Sequence, residues 1–247
     1  MAGFPAKAVS LKLIRYHEFY MNLSDIISEE EEKNLKPLEN FFLMKWADTN
    51  LPSHDLHHHR RVWMNVKEIL NHYTDPDIKR AQISNLLMAA FLHDIGMSRD
   101  QGIRHGFQGK MAAEEYISIG GLRRKDHEDA LNAIEFHDNK SYDFNYGNNQ
   151  VLKILSVADD LDAFGTTGIW RYTEIYRARE IPEEITGYRI LENAASRFEN
   201  FKSFSSDMPL LFRKHSMRYN VLRRYFENYN RNLAKTDPGL EAEPGLS

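Results

Sequence analysis

Apolar residues recur at about every third or fourth position along almost the whole chain, and the alternation that is typical of β-strands is nearly absent. This spacing places the apolar side chains on one face of a helix. The pattern therefore predicts an all-α fold of amphipathic helices around a shared core. The segments that carry it include LKLIRYHEFYMNL, LKPLENFFLMKWADT, LHHHRRVWMNVKEILNHY, IKRAQISNLLMAAFLHDI, QGKMAAEEYISIG and HEDALNAIEFH.

Turn-forming and capping residues separate these segments. Ser28, followed by the acidic run at 29–32, predicts a capped helix start, because carboxylates are stabilised at the positive end of the helix dipole. The other expected boundaries are Pro52-Ser53, TDPD at 74–77, Gly120-Gly121 and the polar stretch YDFNYGNN at 142–149.

The length of 247 residues suits one large domain with a substantial core. We expect a single helical domain over residues 1–236. Its C-terminal helical extension, over about 183–233, ends in a long amphipathic helix that caps the core or pairs with a second chain in a homo-oligomer. The tail at 237–247 contains Pro and Gly and keeps no apolar period, so we expect it to be disordered.

Composition excludes several classes of protein and site. The chain has no cysteine, which rules out disulfides and thiolate metal sites and leaves its 11 histidines and the carboxylates as metal donors. A net charge of −4, with basic runs at 123–125 and 223–224 that lack interleaved aromatics, argues against a nucleic-acid partner. No segment supplies about 20 consecutive apolar residues, so we expect a cytoplasmic protein without membrane contact.

Histidines and aspartates cluster in five segments. His54 and His58 lie four residues apart, on one face of a helix. Such a set of nitrogen and oxygen donors suits a divalent first-row metal. His72 and His127 lack comparable neighbours, and we expect them at the surface. The remaining members of the cluster are His93-Asp94, His105, His137 and the acidic DDLD at 159–162.

The His-Asp dipeptide occurs three times, at 54–55, 93–94 and 137–138, so the dipeptide alone does not identify a site. The order of the dipeptide relative to other motifs does single out one of the three. Five segments resemble the HD-domain superfamily of metal-dependent phosphohydrolases, and the resemblance covers about residues 50–175. They are SHDLHHHRRVW, FLHDIG, HGFQGKMAAEEYISIGG, IEFH and SVADDLDAFGTTGIWR.

The family pattern is a histidine before an Arg-Val pair, then an internal His-Asp, then a distant aspartate. The resemblance implies an HD-domain-like helical bundle with additional N- and C-terminal helices, and it implies that the matching residues are metal ligands and catalytic. For Asp160 and Asp162, capping or pairing with arginines is favoured over ligation. The matching residues are His58 before Arg61-Val62, His93-Asp94 and Asp159.

His105 and His137 match positions that hold a second metal in some members of the superfamily, and the alternatives for both are phosphate contact and a structural role. His54 could orient a ligand or shuttle a proton. The resemblance favours a buried pair for Arg61 that fixes the metal-binding helix. The candidate phosphate contacts are Lys110, Arg104 and Arg171, whose alternative is a solvated surface position.

The resemblance implies one or two divalent ions, from among Mn, Fe, Ni, Co, Zn and Mg. Such an ion acidifies bound water and polarises a phosphoryl oxygen. We therefore expect hydrolysis of a small phosphorylated molecule, with a nucleotide ahead of a sugar phosphate. The alternatives are a di-iron oxygenase, as some relatives are, and a non-catalytic binding or signalling module.

Overall fold

The structure, a computed structural model, describes residues 22–73, 80–102, 104–139 and 149–236. Within these ranges the chain forms nine α-helices, three short 3₁₀ turns and no β-strand, which confirms the predicted all-α fold. The predicted features outside the described residues are the helix that precedes Asn22, the TDPD turn, most of the YDFNYGNN loop and the tail at 237–247.

The helices are numbered here in chain order. None of those in the described ranges has the length and apolarity needed to cross a bilayer. Their bounds are α1 Leu23–Trp46, α2 Leu56–His72, α3 Arg80–Leu92, α4 His105–Ile119, α5 Glu128–Phe136, α6 Gln150–Asp162, α7 Gly165–Ala178, α8 Glu183–Phe204 and α9 Pro209–Thr236. The 3₁₀ turns are Pro52–His54, Ile95–Ser98 and Arg124–Asp126.

Helix α1 begins before the predicted start at Ser28. Asn22 caps it by accepting a backbone N–H in the first turn. The acidic run at 29–32 lies inside the helix and bonds to neighbouring helices; Glu31, for example, accepts from Lys67 at 2.6 Å. The expected start was wrong because these carboxylates serve ion pairs between helices, a role that local sequence does not distinguish from capping.

Helix α3 occupies the centre of the bundle. It packs against α1, α2, α5 and α6, and every residue from 85 to 97 is buried. A helix that is apolar on all sides is stable only when it is surrounded by others. The His93-Asp94 pair therefore lies at the buried, C-terminal end of α3.

Helix α6 is the second central element, and residues 154–165 are buried without interruption. It packs against α2, α3, α5 and α8. The first turn of α2, the C-terminal end of α3 and the last turn of α6 meet in the interior. Three segments that are far apart in sequence thereby bring their polar residues together.

The C-terminal helices α7, α8 and α9 share a smaller apolar cluster, which includes Tyr172, Ile190 and Phe226. Helix α9 also reaches the end of α6, where Arg218 donates to the carbonyl oxygen of Phe164 at 3.0 Å. The extension is thus packed against the segment that follows the acidic residues of α6.

His127 does not lie at the surface, contrary to the prediction. It is 8% exposed, and its Nδ1 lies 2.9 Å from Oδ1 of Asn85 on α3. The polar partner comes from a distant helix, so the local sequence gave no sign of burial. His72, at the end of α2, is partly exposed.

Glu68 joins α2 to α9. Its carboxylate accepts from Lys214 at 2.7 Å and lies 3.4 Å from His215 Nε2. The His215 ring and the Lys214 ammonium lower the pKa of Glu68 to about 2, although partial burial opposes them. A lowered pKa stabilises the fold above the ordinary value of 4.5, and this stabilisation is lost as the pH falls toward 2.

We predict that Glu68→Gln lowers the free energy of unfolding at pH 6 and that the difference from wild type shrinks at pH 3. Urea unfolding at several pH values measures both. The matched control is Glu199→Gln, which removes an exposed pair with Lys202 on α8 and should change stability little at any pH. A Glu68→Gln deficit that stayed constant from pH 6 to pH 3 would contradict the prediction.

Candidate metal centre

The start of α2 presents His58 to the interior. Asp55 caps the helix by accepting the backbone N–H of His58 at 3.1 Å. This cap fixes the first turn, in which the His58 side chain is fully buried. In the His54-Asp55 dipeptide, the aspartate is therefore a helix cap.

The His93-Asp94 pair follows directly after α3 ends at Leu92. Gly96 then allows the start of α4 to approach closely, because a Cβ at that position would lie only 2.0 Å from the carbonyl oxygen of His105. The approach brings His105, the first residue of α4, beside Asp94. His137 enters the same space from the end of α5.

Asp94 lies at the middle of the cluster. Its Oδ2 is 3.4 Å from His58 Nε2 and 3.3 Å from His93 Nε2. Its Oδ1 is 3.0 Å from His137 Nε2 and 3.9 Å from His105 Nε2. The two carboxylate oxygens thus face two different pairs of histidines.

Asp159 of α6 lies on the side of the cluster that holds His58 and His93, with its Oδ1 3.7 Å from His58 Nε2. His58, His93 and Asp159 each offer one donor atom within 4.8 Å of the others. His93, Asp94 and His137 do the same. The structure therefore brings together the residues that the sequence predicts as ligands of one metal, with His137 beside them for a second.

The histidines share one orientation. In His58, His93, His105 and His137, the Nδ1 atom faces an oxygen at the edge of the cluster and the Nε2 atom faces its centre. A carbonyl oxygen only accepts, so the Nδ1 atoms that face one carry the proton, and this leaves the Nε2 lone pair free for a metal. The partners are Asp162 Oδ2 for His58 at 2.8 Å, Ala90 O for His93 at 3.1 Å, Gly102 O for His105 at 2.7 Å and Ile134 O for His137 at 2.8 Å.

These donors fit a divalent cation. The Nε2 atoms of His58 and His93 lie 3.2 Å apart, with an oxygen of Asp94 close to both. Burial lowers the pKa of His93, so at pH 7 its Nε2 is an unprotonated acceptor that faces the cluster. Atoms that share a first-row metal at about 2.0–2.1 Å lie roughly 3–3.4 Å apart, which matches this spacing.

The negative charge of Asp94 is retained despite its burial. Burial alone would raise its pKa, but the neighbouring His93, His137 and His58 rings hold it well below the ordinary range. Burial would lower the pKa of His137, but the bond from its Nε2 to Asp94 outweighs this and raises it, so a metal bound at this nitrogen would displace its proton. The carboxylate thus stays ionised and ready to bind a cation.

Asp162, one turn beyond Asp159, anchors the cluster from outside. Its carboxylate accepts from Arg61 Nε at 2.8 Å and from Arg171 Nη1 at 3.0 Å, in addition to His58. Burial would raise the pKa of Asp162, but Arg171, His58 and Arg61 outweigh it and lower the pKa. These bonds hold Asp162 in place, and Asp162 fixes the orientation of the His58 ring through its Nδ1.

A cavity of about 490 Å³ opens beside the cluster. Asp94, His105, His137 and Asp159 line one part of it, as does His54, whose Nε2 is 4.0 Å from Asp94 Oδ2. Much of the remaining wall is built from α7 and α8. Its principal residues are Arg171, Tyr172, Tyr176, Arg179, Asn193 and Arg197.

Two predicted phosphate contacts lie elsewhere. Lys110 pairs with Glu135 of α5 at 2.6 Å, and the Arg104 side chain is 73% exposed beside Asp100. Neither is among the described residues that line the cavity, whereas Arg171 is.

Sequence reasoning missed other residues of the cavity wall. Tyr172, Tyr176 and Arg179 are spaced i, i+4 and i+7, so they share one face of a helix, and this signal could have identified them. Asp138, which lies 3.7 Å from His105 Nε2, was also missed. Its position next to His137 was the only sequence cue.

Comparison with known proteins supports the fold and the family. The HD-CE family model matches residues 38–211. A protein from Lactobacillus plantarum with a known crystal structure is 15% identical, with a TM-score of 0.62 over 83% of this chain and 99% of that one. This likeness shows a shared fold.

A second structure, described as a predicted HD superfamily hydrolase from an uncultured Thermotogales bacterium, is 24% identical with a TM-score of 0.45. It covers 75% of this chain and 96% of that one. No curated protein matches this chain. Because the HD-CE model spans most of the sequence, including every residue of the His/Asp cluster, the chain belongs to the HD-CE family of the HD-domain superfamily.

Proposed function

We propose that this protein is a metal-dependent phosphohydrolase that acts on a small phosphorylated molecule. The observation that carries the proposal is the cavity, where the His/Asp donor cluster shares one space with Arg171, Arg179 and Arg197. A cleft that combines metal donors with guanidinium groups favours an anionic substrate, and Arg suits phosphate through its several fixed donors.

In this proposal His58, His93, Asp94 and Asp159 hold one divalent ion. His105 and His137 hold a second divalent ion together with Asp94, which is then a ligand of both ions. When bound, the ion supplies Lewis acidity toward a phosphoryl oxygen and lowers the pKa of coordinated water. Imidazole and carboxylate donors suit first-row divalent ions.

The chain's own groups supply charge and orient water around the reacting phosphate. Burial lowers the pKa of His54 to about 3, so its ring is neutral at pH 7. Its Nδ1 lies 2.9 Å from Ser53 Oγ, and the residue lines the cavity, where its neutral ring can orient a water. Arg171, held by Asp162 and by Ser53 O, adds a fixed positive charge.

A nucleotide is the favoured substrate class within this proposal. The cavity volume of about 490 Å³ is within the roughly 300–1,000 Å³ that is usual for small-molecule sites. Tyr172 and Tyr176 line the same space, and aromatic rings offer apolar faces to a base. A sugar phosphate would use the arginines but not these rings.

The test combines metal analysis of the purified protein with a hydrolysis screen of nucleotides and sugar phosphates. We expect stoichiometric divalent metal and release of orthophosphate or pyrophosphate, and we expect both to be lost in His58→Ala. The matched control is His57→Ala, the exposed neighbour on the same helix, which should retain both.

Other outcomes would replace the proposal. Stoichiometric iron with oxygen consumption and no phosphate release would identify an HD-domain di-iron oxygenase. A protein that neither binds metal nor turns over any substrate would instead be a binding or signalling module.

A further inference from the structure

Arg197 of α8 reaches back to the acidic end of α6. Its Nη1 donates to Asp159 Oδ2 at 3.2 Å and to Asp160 Oδ1 at 2.9 Å. The Arg197 side chain is only 16% exposed. The predicted metal ligand Asp159 is therefore bonded to a residue outside the stretch that carries the HD-domain motifs.

Arg197 is itself fixed in direction. Its Nε donates to Oδ1 of Asn193 at 3.0 Å, and the same oxygen accepts the hydroxyl of Tyr172 at 2.6 Å. Asn193 of the same helix thus holds the guanidinium, and Tyr172 of α7 in turn holds Asn193. An arginine fixed in this way can impose one orientation on a carboxylate that it bonds.

The two oxygens of Asp159 have different neighbours. Oδ2 bonds Arg197, whereas Oδ1 is turned toward His58 Nε2 at 3.7 Å and lies 3.9 Å from Arg171 Nη1. We infer that Arg197 is a positioning residue, which occupies one oxygen of Asp159 so that the other faces the metal. The inference rests on the proposed function, because it requires that the cluster binds a metal.

Charge and position predict opposite effects of removing Arg197. A positive guanidinium close to a cation site repels the cation, so its loss would tighten metal binding if only charge mattered. If Arg197 orients Asp159, its loss loosens binding instead. Partners that orient metal ligands typically change affinity by about 10–100-fold when they are removed. The sign of the change therefore separates the two roles.

The experiment is a titration of metal-free full-length protein with Mn²⁺, without substrate, together with thermal unfolding. We expect Arg197→Gln to bind Mn²⁺ about 100-fold more weakly than wild type and Arg197→Lys about 10-fold more weakly. Lysine keeps the charge but lacks the Nε contact with Asn193, so it removes the fixed direction alone.

The matched control is Asn200→Ala. Asn200 lies on the same helix and donates to Asp160 Oδ2 at 2.7 Å, so the variant disturbs the neighbouring carboxylate. We expect lower thermal stability with wild-type Mn²⁺ affinity.

Three results would overturn the inference: tighter or unchanged binding in Arg197→Gln, unchanged binding in Arg197→Lys, or an equal loss of affinity in Asn200→Ala. If Arg197→Gln does not fold, Arg197→Lys decides alone. Wild-type protein that binds no divalent ion would instead refute the proposed function, so the two failures are distinguishable.

Discussion

Asp94→Asn is expected to remove metal binding and phosphate release together. The Asp94 carboxylate faces His58 and His93 with one oxygen, and His137 and His105 with the other. Asparagine keeps the shape but removes the charge and one acceptor. Because the one remaining oxygen can face only one of the two pairs of histidines and carries no full negative charge, the loss should exceed the roughly 100-fold that is typical of a supporting residue. Metal content and turnover of the purified variant measure it.

The matched control is Asp55→Asn, the same change in another His-Asp pair. Asp55 caps α2, and asparagine caps helices about as well, so this variant should retain metal and turnover. Stoichiometric metal and wild-type rates in Asp94→Asn would show that Asp94 is not a ligand. An equal loss in both variants would point to general damage.

Gly96→Ala should destabilise the protein and separate α4 from the metal cluster. The added Cβ would lie 2.0 Å from the carbonyl oxygen of His105 and 2.4 Å from the amide nitrogen of Gly109. Both are backbone atoms of α4, so the helix itself must move. We expect the free energy of unfolding to fall by about 1–3 kcal/mol or more, measured by urea denaturation.

Displacement of α4 would also carry His105 away from Asp94. In the folded fraction of Gly96→Ala we therefore expect loss of a second metal ion. The control is Gly120→Ala at the end of α4, where the nearest atom lies 3.3 Å away and a small shift suffices. Wild-type stability and metal content in Gly96→Ala would disprove the close approach.

The fold could be predicted because its signal is local and repeated. The apolar spacing of each helix reports which face is buried, and the enclosed helix α3 appears as the run NLLMAAFL. The candidate ligands could be predicted from the resemblance to the HD-domain superfamily, whose motif order places His93-Asp94 between His58 and Asp159. Neither inference requires knowledge of how the helices pack.

What could not be predicted depends on contacts between distant segments. Lys110 follows the HGFQG motif, but its charge is taken up by Glu135 of the next helix. Arg197 bonds a residue 38 positions earlier, and nothing in its own neighbourhood marks it. The predicted helix start at Ser28 was wrong for the same reason. The carboxylates that follow Ser28 form ion pairs with other helices, and local sequence does not distinguish such carboxylates from those that stabilise a helix start.

The bond from Arg197 to Asp159 bears on when the protein acquires its metal during synthesis. A ribosome adds about 5–20 residues per second, so Arg197 is joined roughly 2–8 s after Asp159. A nascent chain that ends in α6 already contains the predicted ligands but lacks the arginine that orients the last of them. With Arg197 as the residue that orients Asp159, as proposed above, we expect metal loading to be a late event, timed by the completion of α8 rather than by the appearance of the ligands.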